Sequence, residues 1–398
     1  MKSFRRFFSL ALVAVLLLSL IACGVGADKT GKPDQTTVPT PGTTAPAVDT
    51  TAPDTEPEET DPPAPVYEDV TLNVVDVLDR IKIHGRSMTC ADGLAVDWSA
   101  SGIEFNANCK GDVKVTVTST YACKFAVYVD GTQTDDIAVA EGTAEYAVAS
   151  GLAEGLHNIR LVKKSDNAVE NTPDILTSVS KIALCGQLAD RPADRELLIE
   201  FIGDSITCGL GTVAPNSLET DATVTYAYKA AEALGCDYSF VSVSGIGVLN
   251  STEQNEGLLI SDIYSYTNYY RDKTAEYKPT RQADIVVVAM NTNDNGRMTT
   301  ADRDAYFEKS DALLQQIRAI HGDDVKIVWV VSLMSSKGTA DSMISYSIRN
   351  RLGGENAGYY YLEATPNSAG AFTHPSVEGH AVNAEILAKF IKEKFNIK

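Results

Sequence analysis

The sequence predicts an α/β domain built on a parallel sheet that is covered on both faces, preceded by an all-β domain. Three observations predict it. Between residues 70 and 188 apolar and polar residues alternate with period two and no convincing helix intervenes. Beyond "LADRPADRE" the pattern changes to unbroken apolar runs separated by helical periodicity, as in sheets buried on both faces. Small, polar residues then follow the ends of those runs, the edge at which open parallel sheets hold their ligands.

Taken from the N-terminus, Lys2, Arg5 and Arg6 precede an apolar run from Phe7 to Ile21, and Ala22 and Cys23 follow. This is an export signal, and "LIAC" at 20 to 23 fits a bacterial lipobox in which Cys23 is lipidated and becomes the mature N-terminus. An ordinary signal peptide or an uncleaved anchor helix is the alternative, but the run is short for a membrane span. The expectation is residues 1–23 as a lipoprotein signal, with the chain extracytoplasmic and held at the cell surface by a lipid anchor. Residues 24–69 are rich in Thr, Pro and acids and nearly free of large apolar side chains, so they form a solvated spacer. From Asp28 to Asp69 ten acidic residues face two basic ones, a good share of the net charge of -19. The rest of the chain is acidic too, which argues against nucleic acid as a partner. Six cysteines remain after Cys23, irregularly spaced and without a CxxC pair, so no pairing is assigned.

The all-β domain is expected over 70–190 as a sandwich. In "DVKVTVTST" Val113, Val115 and Val117 face one way, and "KFAVYVDG" repeats the pattern before a hairpin-type Asp130-Gly131. The α/β domain is expected over 196–398. Its strands are read at "LLIEFI", "DYSFVSVS", "ADIVVVAM" and "VKIVWVVSL", and its helices at "TYAYKAAEAL", "RDAYFEKSDALLQQIRAI" and from Val377 onward.

The first of these strands runs into "GDSIT", which places Ser205 at the ligand-bearing edge. A serine hydroxyl needs a base to become a nucleophile, and the chain has five histidines. His84 and His157 belong to the β-domain, His157 sharing the face of Ile159 and Leu161. His321 lies at a helix end, where a cap is the simple reading, and His380 lies within the last helix, packed or bonded locally. His374 precedes Pro375, which keeps it extended in a loop, with Ser376 as N-cap of the helix that follows. It is therefore the candidate general base. Oxyanion donors are expected from the backbone N–H of Ser205, the backbone N–H of Gly245 and the Asn293 amide. One such donor is worth ~3 kcal/mol in the transition state. No HxH, HxxxH or HExxH spacing occurs, so neither metal nor other cofactor is expected. Asp204 is read as stabilising the turn.

In this order Ser205, Gly245, Asn293 and His374, carried by "GDSIT", "SGIG", "NTND" and "HPSVEGH", resemble the four blocks of the SGNH (GDSL-like) hydrolases across about residues 196 to 398. The resemblance implies a flavodoxin-like, three-layer domain. "IKIHGRS", "AVDWSASGIEF" and "GLHNIRLVKK" resemble the N-terminal jelly-roll of carbohydrate esterase family 2, whose members deacetylate polysaccharides such as xylan and glucomannan. The implied partner is an acetylated polysaccharide or oligosaccharide. Two departures stand out: Asn291 replaces the glycine of "GTND", and Ala371 replaces the acid three residues before the histidine. The first suits a left-handed turn, which Asn tolerates best after Gly. The second fits a Ser-His dyad with a backbone carbonyl in place of the acid, an arrangement that the resemblance allows. Glu378, the nearest later carboxylate, falls in the first turn of the last helix and is expected to serve that helix. Alternatives are an esterase for lipid or bacterial-glycan acyl esters, and a glycan-binding surface protein without turnover. The tyrosines of "YSYTNYY" and "YYY" are candidate stacking surfaces for sugar rings, with plain surface tyrosines as the alternative.

Overall fold

The computed structural model describes residues 67–166, 176–213, 219–255 and 257–397. The expected signal, Cys23 and most of the spacer lie outside the described residues.

The β-domain begins with β1 (Asp69–Asn73), at the last residue assigned to the spacer, followed by β2 (Ile81–His84), β3 (Met88–Cys90) and β4 (Gly93–Ala95). The long strand β5 (Gly102–Ser119) leads to β6 (Cys123–Val129), β7 (Thr132–Gln133) and β8 (Ile137–Val139). Two more long strands, β9 (Gly142–Lys163) and β10 (Thr177–Leu188), complete it. All ten strands form one antiparallel sheet in which β5 lies between β9 and β10 along its length. The period-two pattern is realised in β5: Ile103, Phe105, Ala107, Cys109, Val113, Val115 and Val117 share one buried core with Ile159 and Leu161 of β9. The expectation of an all-β unit is met in this form, as a single sheet around a single core.

The second unit holds β11 (Leu198–Gly203), β12 (Asp237–Ser242), β13 (Ile285–Ala289), β14 (Lys326–Val331) and β15 (Tyr359–Glu363). They pair in parallel in the order β12-β11-β13-β14-β15, the doubly wound order with its switch point beside the first strand. Among the described residues seven α-helices accompany them: α1 (Ser205–Cys208), α2 (Tyr226–Leu234), α3 (Ile260–Ile263), α4 (Thr292–Asn295), α5 (Arg303–His321), α6 (Thr339–Asn350) and α7 (Val377–Phe395). One face of the sheet buries Ile202, Val286, Val288 and Trp329 against residues of α5 and α6. The other buries Phe201, Val287 and Val330 against residues of α2 and α7. Strand β15 and helix α6 were not expected from the sequence. β15 is the "YYY" segment: it carries tyrosines where the other strands carry Val and Ile, because it is an edge strand and its side chains are only half-buried. Tyr360 meets Phe395 edge-on at 4.9 Å and Tyr359 lies under Arg318, so these rings are packed rather than offered as a stacking surface.

The two units are joined by buried groups. Trp98 is fully enclosed in the core on the α5 face, and its Nε1–H donates to the Thr267 carbonyl at 2.8 Å. Arg86 reaches Glu200 in the middle of β11 through two hydrogen bonds, Nε to Oε2 at 3.1 Å and Nη2 to Oε1 at 3.0 Å. Glu200 also accepts from Tyr264 Oη at 2.6 Å and Ser239 Oγ at 3.3 Å, with His321 Nε2 at 3.1 Å. A carboxylate buried among so many donors is stabilised in its charged form, and its pKa is driven far below the usual range. His321 is thus not a helix-end cap. Its Nδ1 accepts from the Ala283 N–H, leaving Nε2–H for Glu200, and the ring is buried. Tyr264 of "YSYTNYY" is spent on the same carboxylate.

Candidate active site

The serine side of the site is a strand that ends abruptly. A side chain at Gly203 would collide with Thr207 Oγ1, the built Cβ lying 1.9 Å away, so only glycine lets α1 turn back so tightly. Asp204, fully buried, caps α1 by accepting the Ile206 N–H at 3.0 Å, the turn-stabilising role expected of it. Burial beside Asp294 pushes its pKa up to about 7. Ser205 follows as the first helical residue, only 6% exposed.

His374 meets it there. Its Nε2 lies 2.8 Å from Ser205 Oγ across 169 residues of sequence. The histidine adopts φ -72° and ψ 162°, the extended form imposed by Pro375, and Ser376 caps α7 by accepting the Gly379 N–H. The loop before it is fastened to the serine side by Ala371 N–H to the Gly211 carbonyl at 2.8 Å. Within that loop Phe372 and Thr373 both take left-handed backbone, at φ 51° and 63°. For a β-branched or bulky residue that conformation costs about 1–2 kcal/mol. Nδ1 of His374 is buried and, among the described residues, has no partner at hydrogen-bonding geometry, yet the carbonyls of Phe372 and Ala371 stand near enough to favour the protonated ring. Burial outweighs them, and the pKa lies below that of a free imidazole. Glu378 is exposed at the start of α7 and its pKa is lowered by that helix terminus, so it does not orient the ring.

Besides Ser205, the predicted oxyanion donors lie beyond β12 and β13, Gly245 on a loop and Asn293 in α4. Gly245 has φ 79°, and its built Cβ would lie 2.1 Å from Thr252 Oγ1, so both conformation and space require glycine. Asn293 donates one amide hydrogen to the Ile246 carbonyl at 2.7 Å, which leaves its second. Asn291, the residue in place of the family glycine, takes φ 94°, as its left-handed tolerance suggested. Its side chain is used as well: Nδ2 donates to Asp341 at 3.0 Å and Oδ1 accepts from Tyr306 Oη at 2.6 Å.

Sequence reasoning missed Asp294, although it lies inside "NTND". Its buried carboxylate accepts the N–H groups of Val248, Leu249 and Asn250 at 2.9, 2.8 and 2.7 Å and so shapes the loop that begins at Gly245. An acid between two polar residues at a strand end was its only signal. His380 accepts the Tyr226 N–H through Nδ1 at 3.1 Å, a contact with α2 rather than a local one, and burial lowers its pKa to about 3. His157 is held at the sheet's edge by Asp130 Oδ2 at 2.8 Å and the Ala153 carbonyl at 2.9 Å. Among the described residues no cysteine is paired, and no three His, Cys, Asp or Glu side chains gather as metal ligands would.

This arrangement can activate a hydroxyl against a carbonyl carbon, and the comparisons with known proteins agree with it. A family model described as Carbohydrate esterase 2 N-terminal matches residues 83–173. The cellulase/esterase CelE of Acetivibrio thermocellus is 28% identical over 315 residues, which is 75% of this chain and 37% of that protein. This chain therefore spans little more than a third of that relative's length. An acetylxylan esterase / glucomannan deacetylase of Cellvibrio japonicus is 23% identical over 286 residues, 64% of this chain and 74% of that protein. Among solved structures, a family two carbohydrate esterase from Clostridium thermocellum in complex with cellohexaose superposes with a TM-score of 0.69 at 26% identity, covering 80% of this chain and all of that one. The chain resembles the two-domain esterases of carbohydrate esterase family 2, with a second unit resembling the SGNH (GDSL-like) hydrolases.

Proposed function

We propose that this chain is a carboxylic ester hydrolase, a carbohydrate acetylesterase that removes O-acetyl groups from polysaccharides such as xylan or glucomannan through a Ser205–His374 dyad. The observation that carries the reading is the 2.8 Å approach of His374 Nε2 to Ser205 Oγ at the carboxyl edge of a parallel sheet. The lowered pKa leaves the imidazole neutral near pH 7, so Nε2 is free to accept the serine proton. As Oγ bonds to the acetyl carbon, the carbonyl electrons move to oxygen, where the N–H groups of Ser205 and Gly245 and the spare Asn293 hydrogen receive the charge. The imidazolium gives its proton to the departing sugar oxygen. Water then repeats the sequence on the acetyl-serine, releasing acetate. The carbonyls of Ala371 and Phe372 take the part of the missing acid, favouring the imidazolium while it exists.

The jelly-roll connectivity of the first domain belongs to this proposal, as does export with a lipid on Cys23, which the N-terminal sequence supports. Acetate release from acetylated xylan and glucomannan is the test, with Ser205→Ala and His374→Ala beside the full chain. Acetate from the native chain and none from two folded variants supports the dyad. Substrates untouched by the native chain sink it. The unpartnered Nδ1 favours one second reading, glycan capture without turnover, whose sign is binding to the same polymers with no acetate released.

A further inference from the structure

Gly245 offers its N–H to the proposed oxyanion, so whatever fixes the Ser244–Gly245 peptide fixes the donor. The peptide unit is planar and trans, and the Ser244 carbonyl and the Gly245 N–H therefore point in opposite directions. Holding the carbonyl aims the N–H. Two side-chain amides hold it: Asn255 Nδ2 donates to the Ser244 carbonyl at 3.0 Å and Gln254 Nε2 at 3.1 Å. Asn255 is 2% exposed. The Gly245 N–H itself donates to no backbone group among the described residues.

The other side of the same residue is held from the β-domain. The Ser244 N–H donates to Asp166 Oδ2 at 3.1 Å. Asp166 is fully buried just past the end of β9, its own N–H donates to Thr220 Oγ1 at 2.8 Å, and its carbonyl receives Lys163 Nζ at 3.3 Å. Lys163 Nζ also donates to the Asp97 carbonyl at 2.6 Å, so one buried amino group ties the end of β9 to the segment that carries Trp98. The Cys208 thiol, three residues after the nucleophile, faces Asp166, Ser99 and Ser242. The end of β9 therefore touches the serine's helix and the oxyanion loop together.

We propose that Asp166, supplied by the β-domain, and Asn255 are positioning residues for the oxyanion donor at Gly245, which makes the β-domain part of the catalytic machinery. The inference rests on the esterase reading and adds to it a role for the first domain. Displacing a reacting group by about 1 Å costs on the order of 100-fold in rate, so partial loss of aim in Asp166→Ala is expected to lower kcat/KM on a soluble acetyl ester by about 10- to 100-fold. Asp166→Asn keeps an oxygen that can accept the Ser244 N–H and is expected to restore most of that loss. Asn255→Ala is expected to resemble Asp166→Ala.

The deciding readout is inhibition by an alkylboronic acid, whose tetrahedral serine adduct places an oxygen in the oxyanion position. Affinity for it should fall with kcat/KM in Asp166→Ala and Asn255→Ala and recover in Asp166→Asn, all measured on the fraction that melts cooperatively. A boronate affinity unchanged in Asp166→Ala, or activity lost only in step with the folded fraction, overturns the proposal. If Ser205→Ala is as active as the native chain in the same assay, the esterase reading itself fails, an outcome distinct from both.

Discussion

The domain junction and the catalytic edge are both buried, and they treat polar groups in opposite ways. At the junction Glu200 is surrounded by Arg86, which bonds both of its oxygens, and by Tyr264, Ser239 and His321, each directed at one of them. At the edge His374 has one nitrogen on Ser205 and the other without a hydrogen-bond partner, on a loop with two left-handed residues. The difference separates two uses of burial. A saturated network fixes where the domains sit, whereas an unsaturated one leaves a base ready to change its protonation state.

The largest expected effect breaks the edge alone. Ser205→Ala or His374→Ala should lower acetate release by at least about 10³-fold, as loss of a group acting within a catalytic unit does, with little change in thermal stability. Steady-state kinetics beside a melting curve checks both halves. The reverse is expected at the junction: Arg86→Met takes the guanidinium from a buried carboxylate and should cost about 3–5 kcal/mol of stability, read by chemical denaturation. An Arg86→Met protein as stable as the native one would undo the contrast.

Smaller effects sharpen it. Ala371→Asp offers the acid that the loop lacks, and under the dyad reading kcat/KM should move by less than about tenfold, well short of the ~10⁴ that a triad aspartate supplies. A large gain would show that the carbonyls are a poor substitute. Thr373→Gly relieves a left-handed β-branched residue and should raise stability by about 1 kcal/mol, measured as a rise in denaturation midpoint. The smallest effect is in pH. Since burial holds the His374 pKa below the 6.5 of a free imidazole, kcat/KM at pH 6.5 should exceed half of its plateau. The same depression means that the native state binds fewer protons there than the unfolded chain, so the contribution of His374 to stability is lost as pH falls below that value.

Much of the site was legible because its chemistry is local: "GDSIT" and "THPS" announce a strand-end serine and an extended histidine, and Asn291 announces a left-handed turn. The fold was legible wherever strands are unbroken apolar runs. It failed at β15, whose half-buried tyrosines mimic a surface segment, and at α6. What holds the pieces in place was hidden, since Arg86, Asp166 and Asp294 act on residues 114, 78 and 44 to 46 positions away. A lone glutamate within "LLIEFI" was the one mark of the junction.

The enclosure of Trp98 and Arg86 in the second unit also bears on how the chain is made. Synthesis delivers the β-domain first, so an indole and a guanidinium destined for another core emerge long before β11 exists to receive them. The second unit, cut free, would carry an open hole and, at its centre, a buried carboxylate without its guanidinium. Expressing the two halves separately and mixing them should recover activity only if the halves find each other, which would make the boundary between them a seam in the sequence rather than in the folding reaction.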